Sequence, residues 1–350
     1  MWNKYTYSGR CVQLSKSPRT LDSAQNSGAQ YLGRISIPKK VTILDGGIGR
    51  ELLRSGAPFR QPEWSALALI EAPGFVEKAH DAFVAAGADV ITTNSYAVGP
   101  LHIGDKRFTE DGLALAKLSG ELARAASAKA GGHVRVAGSL PPVFGSYRPD
   151  LFDLGKAPEI LSVLFQGLGP HVDFWLAETQ GSLREVETIR AVLGSDTRPF
   201  WLSFTLEDGK GVEDIVSGRS LPTLRSGEAV ADAAVKAAEL GAGALLFNCS
   251  QAEIMESAVR TARQALDKRG FSTPIGVYAN AFVPKPEPDA ALPANAGLSG
   301  LRDDLDPPGY LLFARRWVDA GATIVGGCCG IGPEHIAELR QTFDPRPVAA

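Results

Sequence analysis

Three cysteines near the ends of two apolar runs are the residues best suited to chemistry. Cys328 and Cys329 are adjacent, set in the glycine-rich string GGCCG that closes the β-branched run ATIVGGCCG at 322–330. Neighbouring side chains on a strand point to opposite faces, so two adjacent thiols serve one site only if the chain turns as the strand ends. Gly326, Gly327 and Gly330 permit that turn. Cys249 closes a second apolar run, ALLFNCS at 244–250. Three thiols at two strand ends make a Cys₃ metal site with an open fourth position, the pattern of a catalytic rather than a structural zinc. Thiolate ligation without redox chemistry favours Zn²⁺. The competing readings are three small buried hydrophobes, or a vicinal disulfide, which adjacent cysteines form only with strain.

The elements that must position these thiols follow from periodicity. Short β-rich runs lie at 41–46, 89–94, 134–139, 172–178, 199–205, 244–249, 274–280 and 322–327. Between them, apolar residues recur three and four apart: Phe75, Ala79 and Phe83 after Pro73; Val230, Ala234, Ala237 and Leu240 before Gly241; Tyr310, Phe313, Ala314 and Trp317 before Gly321. That spacing, stopped by glycine, marks amphipathic helices. Eight strand-helix units predict an α/β fold of parallel strands closed into a (β/α)₈ TIM-type barrel over residues 41–345. Three long loops, 140–157, 206–227 and 281–308, then gather at the C-terminal face, where such barrels build their sites.

Polar residues concentrate at the same strand ends: Asp45, Gly46 and Gly47; Asn94, Ser95 and Tyr96; Glu178 and Thr179; Asn248; Tyr278 and Asn280. The string at Asp45 lacks the third glycine of a dinucleotide loop, since Leu52 stands there. A turn with exposed amides beside an acid suits a zwitterionic amino acid, its carboxylate on the N–H groups and its ammonium on Asp45 or Glu178. Trp64 and Tyr96 could face a cationic ligand as π surfaces, whereas Trp175, in mid-strand, belongs to the barrel wall. His80 and His335 fall on helical patterns and receive no catalytic role.

Composition bounds the partners. In 350 residues, 44% hydrophobic and 21% charged with a net charge of -3, no basic surface offers itself to nucleic acid. No apolar run approaches the roughly 20 residues that cross a bilayer. Adjacent cysteines among four in so long a chain read as reduced thiols in a cytoplasmic setting. Residues 1–40 are basic, with Lys4, Arg10, Lys16, Arg19, Arg34, Lys39 and Lys40 against Asp22, and read as a flexible N-terminal extension, with no role for Cys11. A transit peptide is the alternative for that segment.

Several strings together resemble the homocysteine S-methyltransferase family: DGGIG at 45–49, TTNSY at 92–96, FWLAET at 174–179, NC at 248–249 and GGCCG at 326–330. The resemblance spans about residues 41–342 in order. It implies a (β/α)₈ barrel in which Cys249, Cys328 and Cys329 bind zinc and homocysteine adds its sulfur as a fourth ligand, giving methionine after methyl transfer. By motif match, Asp45, Gly46, Gly47 and Glu178 hold the amino acid moiety with Asn248 beside them, and Tyr96 fills the zinc site when substrate is absent. Asn94 and Asn280 are further residues for the donor site or the open position.

The family divides by methyl donor. The betaine-using branch resembles this chain at Trp64 and Tyr96 but has an aromatic residue where Thr179 stands, and carries a C-terminal arm. SFTLEDG at 203–209, SGRSLP at 217–222 and LAETQGSLREV at 176–186 look more like the branch using S-methylmethionine or S-adenosylmethionine. A sulfonium donor is therefore expected, a betaine or other onium donor is the alternative, and a redox or structural zinc protein without turnover is the reading from another class.

Overall fold

The computed structural model describes residues 40–284 and 300–345. The N-terminal extension with Cys11, and the middle of the loop 281–308, lie outside the described residues. Eight strands follow one another among them: β1 (Thr42–Ile43), β2 (Val90–Thr92), β3 (Arg135–Leu140), β4 (Phe174–Gln180), β5 (Phe200–Phe204), β6 (Ala244–Asn248), β7 (Ile275–Tyr278) and β8 (Ile324–Val325). All ladders are parallel, in the order β1-β8-β7-β6-β5-β4-β3-β2. A parallel bridge between Leu44 and Val90 joins β1 to β2 and closes the ring. The expected (β/α)₈ barrel is the fold. No helix among the described residues is long and apolar enough to cross a membrane.

Each predicted strand overlaps an observed one; six observed strands are shorter and lie inside the predicted run, while β3 and β4 run one and two residues past its end. Strand β8 stops at Val325 because Gly326 and Gly327 already follow the turn of the cysteine segment. The helices fall where apolar spacing put them: Pro73–Ala85, Val230–Glu239 and Pro307–Asp319. Each has proline or a polar residue near its start and glycine just past its end, at Gly87, Gly241 and Gly321. The loop 206–227 holds more structure than expected: a short helix at Val212–Val216 and an antiparallel bridge of Leu206 with Leu224.

Alternation along the strands divides the core in two. Leu44, Val90, Ala137, Phe174, Leu176, Trp201, Ala244, Leu246, Tyr278 and Ile324 fill the barrel interior. The intervening residues, such as Ile43, Ile91, Trp175, Leu202, Leu245 and Val277, pack outward under the helices. Burying each such aliphatic side chain contributes roughly 1.5–3 kcal/mol. Trp175 lies in this outer layer, as expected, between Phe165 at 4.9 Å and the Arg198 guanidinium at 4.6 Å. Phe174 and Trp201, 4.5 Å apart, plug the interior. Towards the C-terminal ends the inward positions turn polar, with Ser139, Glu178, Ser203, Asn248 and Asn280 all buried.

Candidate metal centre and ligand site

Continued alternation would aim the residue after Asn248 outward, under the helices. Cys249 escapes this because its backbone is left-handed, φ 48°. That conformation costs a non-glycine residue about 1–3 kcal/mol. Its cost is met by Cys249 N–H donating to Tyr278 O at 3.1 Å, and the side chain turns towards the end of β8. There the cysteine segment bends tightly: Cys328 N–H donates to Ala279 O at 2.9 Å, Ile331 N–H to Cys328 O at 3.0 Å, and Gly330 has φ 90°. Tyr310, buried behind the segment, donates its hydroxyl to Gly326 O at 2.7 Å.

The three sulfurs lie within 4.8 Å of one another, and those of Cys249 and Cys329 are 3.8 Å apart. All three cysteines are free. A disulfide needs about 2.05 Å, whereas two thiolates on a tetrahedral zinc with bonds of about 2.3 Å stand about 3.8 Å apart. The donor set therefore fits a metal ion, and no disulfide joins Cys328 to Cys329.

Two carboxyl groups share this rim. Asp45 Oδ2 accepts from Thr92 N–H at 2.7 Å, and Glu178 Oε1 accepts from the Ser139 hydroxyl. Both side chains are buried, and among the described residues neither forms an ion pair. Desolvation, opposed by the Thr92 N–H and reinforced by the neighbouring Glu178 charge, pushes Asp45 up to about 8. Desolvation, opposed by Ser139, pushes Glu178 up to about 7.

Strand β4 shifts register between Ala177 and Gln180, and Thr179 has φ 62°. This bulge turns Thr179 from the outer layer towards Asn248. Asn248 Oδ1 accepts from Thr179 N–H at 3.0 Å and the Ser203 hydroxyl at 2.7 Å; Nδ2 donates to Thr179 Oγ1 at 2.8 Å and approaches Cys328 Sγ at 4.0 Å. Its amide is thus engaged inside the barrel. Asn280 lies on the cluster, Nδ2 3.9 Å from Cys249 Sγ. Asn94 donates to Ser65 O at 3.1 Å, while its buried Oδ1 has no hydrogen-bond partner among the described residues. That bond ties the end of β2 to the segment of Trp64, which is half-buried and packs edge-on to Phe59 at 5.8 Å.

Two placements bear on the expected roles. Gly47 N–H donates to Ile331 O at 2.9 Å, so this amide is not left for a ligand carboxylate. Gly47 is required for a different reason: a Cβ there would sit 2.4 Å from Cys328 O and 3.0 Å from Cys329 Cα. Gly46 is similarly tight, its Cβ position 2.2 Å from Ile331 O. The Tyr96 hydroxyl pairs with Ser146 at 2.5 Å, and the tyrosine bonded to a sulfur here is Tyr147, 2.9 Å from Cys249 Sγ. Tyr147 and Ser139 were missed by sequence reasoning. Ser139 carried a usable signal, a hydroxyl ending an apolar strand; Tyr147, in an aperiodic loop, carried none.

The homocysteine S-methyltransferase family model matches residues 42–343. A selenocysteine methyltransferase of Astragalus bisulcatus is 26% identical over 329 residues, covering 85% of this chain and 90% of that protein. Homocysteine S-methyltransferase 2 of Zea mays is 28% identical over 333 residues, covering 87% and 90%. The metallated form of the homocysteine methyltransferase MmuM from Escherichia coli superposes with a TM-score of 0.65 at 25% identity, covering 86% of this chain and 96% of its own. With the match running from β1 to the last helix and the sulfur cluster on its rim, the chain belongs to the homocysteine S-methyltransferase family.

Proposed function

We propose that this chain transfers a methyl group from a sulfonium donor, S-methylmethionine or S-adenosylmethionine, to the thiol of L-homocysteine, with one Zn²⁺ held by Cys249, Cys328 and Cys329. The observation that carries the reading is the pairing, on one rim, of three convergent sulfurs with two buried carboxyl groups that have no cationic partner among the described residues. A zinc ion there would keep the substrate sulfur as a thiolate at neutral pH. The carboxyls of Asp45 and Glu178 take the substrate ammonium, which supplies the positive charge their burial lacks. Ser139 and Thr92 aim those carboxyls, and Asn248 ties the Glu178 bulge to the cysteine-bearing strand. An amino acid anchored at both ends presents its sulfur in one direction, and holding nucleophile and donor in a near-attack pose supplies much of the rate.

Thr179 supports the sulfonium choice. It replaces the aromatic residue of the betaine branch, and its side chain is bonded to Asn248 rather than presented to a ligand. Trp64 and Tyr96 remain as aromatic surfaces for a donor cation. Methionine formation from homocysteine, assayed with sulfonium, betaine and folate donors in parallel, tests the reading; turnover with betaine alone would replace the sulfonium by another onium, and no turnover with any donor would reject methyl transfer.

A further inference from the structure

One tyrosine on the sulfur cluster has no part in the reaction as described. Tyr147 lies in the loop after β3, and its hydroxyl donates to Cys249 Sγ at 2.9 Å. The side-chain amides of Asn280 and Asn248 approach the sulfurs less closely, at 3.9 Å and 4.0 Å. Tyr147 holds φ 66°, a conformation that persists in a bulky residue only where the surroundings impose it.

Those surroundings are unusually specific. The Arg225 guanidinium lies 4.7 Å from the Tyr147 ring centroid. Arg225 is ion-paired with Asp208, their side chains only 13% and 11% exposed. Asp208 Oδ2 accepts from Gln251 N–H at 2.9 Å, and Asp208 O from Gln251 Nε2 at 2.6 Å. Gln251 is two residues past Cys249. The contacts therefore run from Cys249 through Tyr147, Arg225 and Asp208 to Gln251, and back along the chain to Cys249. Two of the three long loops, 140–157 and 206–227, are drawn into this circuit.

A phenol held on a sulfur with a cation over its ring has two consequences. The hydroxyl fixes the direction of the sulfur, and the guanidinium charge makes the phenol a stronger hydrogen-bond donor. Three thiolates within 4.8 Å repel one another, so withdrawing charge from one of them favours their assembly around a cation. We propose that Tyr147 is a positioning residue for the sulfur cluster, holding Cys249 in its ligating direction and reducing its charge, and that the Arg225–Asp208 pair holds Tyr147 in place. The proposal rests on the reading of the three cysteines as a zinc site.

The test measures Zn²⁺ affinity by competition with a chromophoric chelator, and the thiolate-to-metal charge-transfer band after Co²⁺ substitution. Wild type, Tyr147→Phe, Arg225→Gln and the double variant are compared. Tyr147→Phe should bind Zn²⁺ about tenfold or more weaker, the scale of losing a partner of a metal ligand. Its Co²⁺ band should move to lower energy, because the sulfur regains electron density. Arg225→Gln should move both readouts the same way by less, and the double variant should match Tyr147→Phe. Affinity within about twofold of wild type and an unmoved band in Tyr147→Phe would overturn the proposal. Should that variant lose its cooperative melt, Arg225→Gln decides alone, and wild-type values for both readouts overturn it. A wild-type chain that binds neither metal would instead defeat the zinc-site reading itself.

Discussion

Thr179 and Asn248 are joined twice, by Thr179 N–H to Asn248 Oδ1 at 3.0 Å and by Asn248 Nδ2 to Thr179 Oγ1 at 2.8 Å. Each neighbours a functional residue, Glu178 on one strand and Cys249 on the other. Asn248→Ala leaves Thr179 N–H and the Ser203 hydroxyl without this partner in a buried place, at about 1–3 kcal/mol each. Thermal stability should fall, and zinc content and homocysteine affinity should fall together. If only homocysteine affinity drops while the melt is unchanged, Asn248 is a direct ligand of the substrate.

Cys328→Ala removes one of three sulfurs from a cluster no wider than 4.8 Å. Elemental analysis of the purified variant should show loss of the single zinc proposed for the wild type, together with loss of turnover. A variant that keeps a full equivalent and stays active would show that the site lies elsewhere.

Glu178→Gln preserves shape and the acceptor for Ser139 while removing the charge. Homocysteine binding, followed by calorimetry, should weaken by about 1.5–3 kcal/mol, the worth of a hydrogen bond to a charged group, with zinc content unchanged. Equal affinity in the variant and the wild type would contradict the ammonium assignment.

The raised carboxyls give a pH signature. Glu178 stands at about 7 and Asp45 at about 8 in the folded protein, against ordinary values near 4.5 and 3.8. The folded state then keeps protons that the unfolded chain has released, so the stabilisation contributed by these two groups is fully present below about pH 4 and declines as pH rises towards 8. Melting of the ligand-free protein between pH 5 and 8 should show this decline, on the order of a few kcal/mol for the two groups together. Glu178→Gln should reduce the slope. A melt that is as pH-dependent in the variant as in the wild type would assign the effect to other groups.

Trp64→Leu retains apolar bulk but removes the ring quadrupole. Donor binding should weaken by roughly 0.5–2 kcal/mol with homocysteine binding unaffected. On the wild type, kcat/KM should be higher for S-methylmethionine than for S-adenosylmethionine, and higher for either than for betaine. Faster transfer from betaine would sink the sulfonium assignment.

The barrel was legible because its signals are periodic. Each strand read as a β-rich run and each compared helix as an apolar stripe, and Cys249, Cys328, Cys329, Asp45 and Glu178 stood out as reactive types at strand ends. What stayed hidden depends on single dihedrals and on loops. Plain alternation would send Cys249 away from the other two sulfurs, and only φ 48° reverses it. Tyr147 and Arg225 sit in loops without a period, and meet across them through a cation–π contact that no spacing encodes. Gly47 was assigned to a ligand because a glycine that bares an amide and one that admits another backbone look alike in sequence. Here it is the second kind.

The segments 45–47 and 327–331 are cross-bonded, Gly327 N–H to Asp45 O at 3.0 Å and Gly47 N–H to Ile331 O at 2.9 Å, with no room for a side chain at Gly47. Neither can open without the other. Local unfolding that frees Cys328 and Cys329 must also unhook Asp45 and loosen its grip on Thr92 N–H. A cation clamped by the sulfurs would thereby slow amide hydrogen exchange at Gly47 and Thr92, in segments that carry no cysteine, and demetallation would release these amides as one cooperative unit.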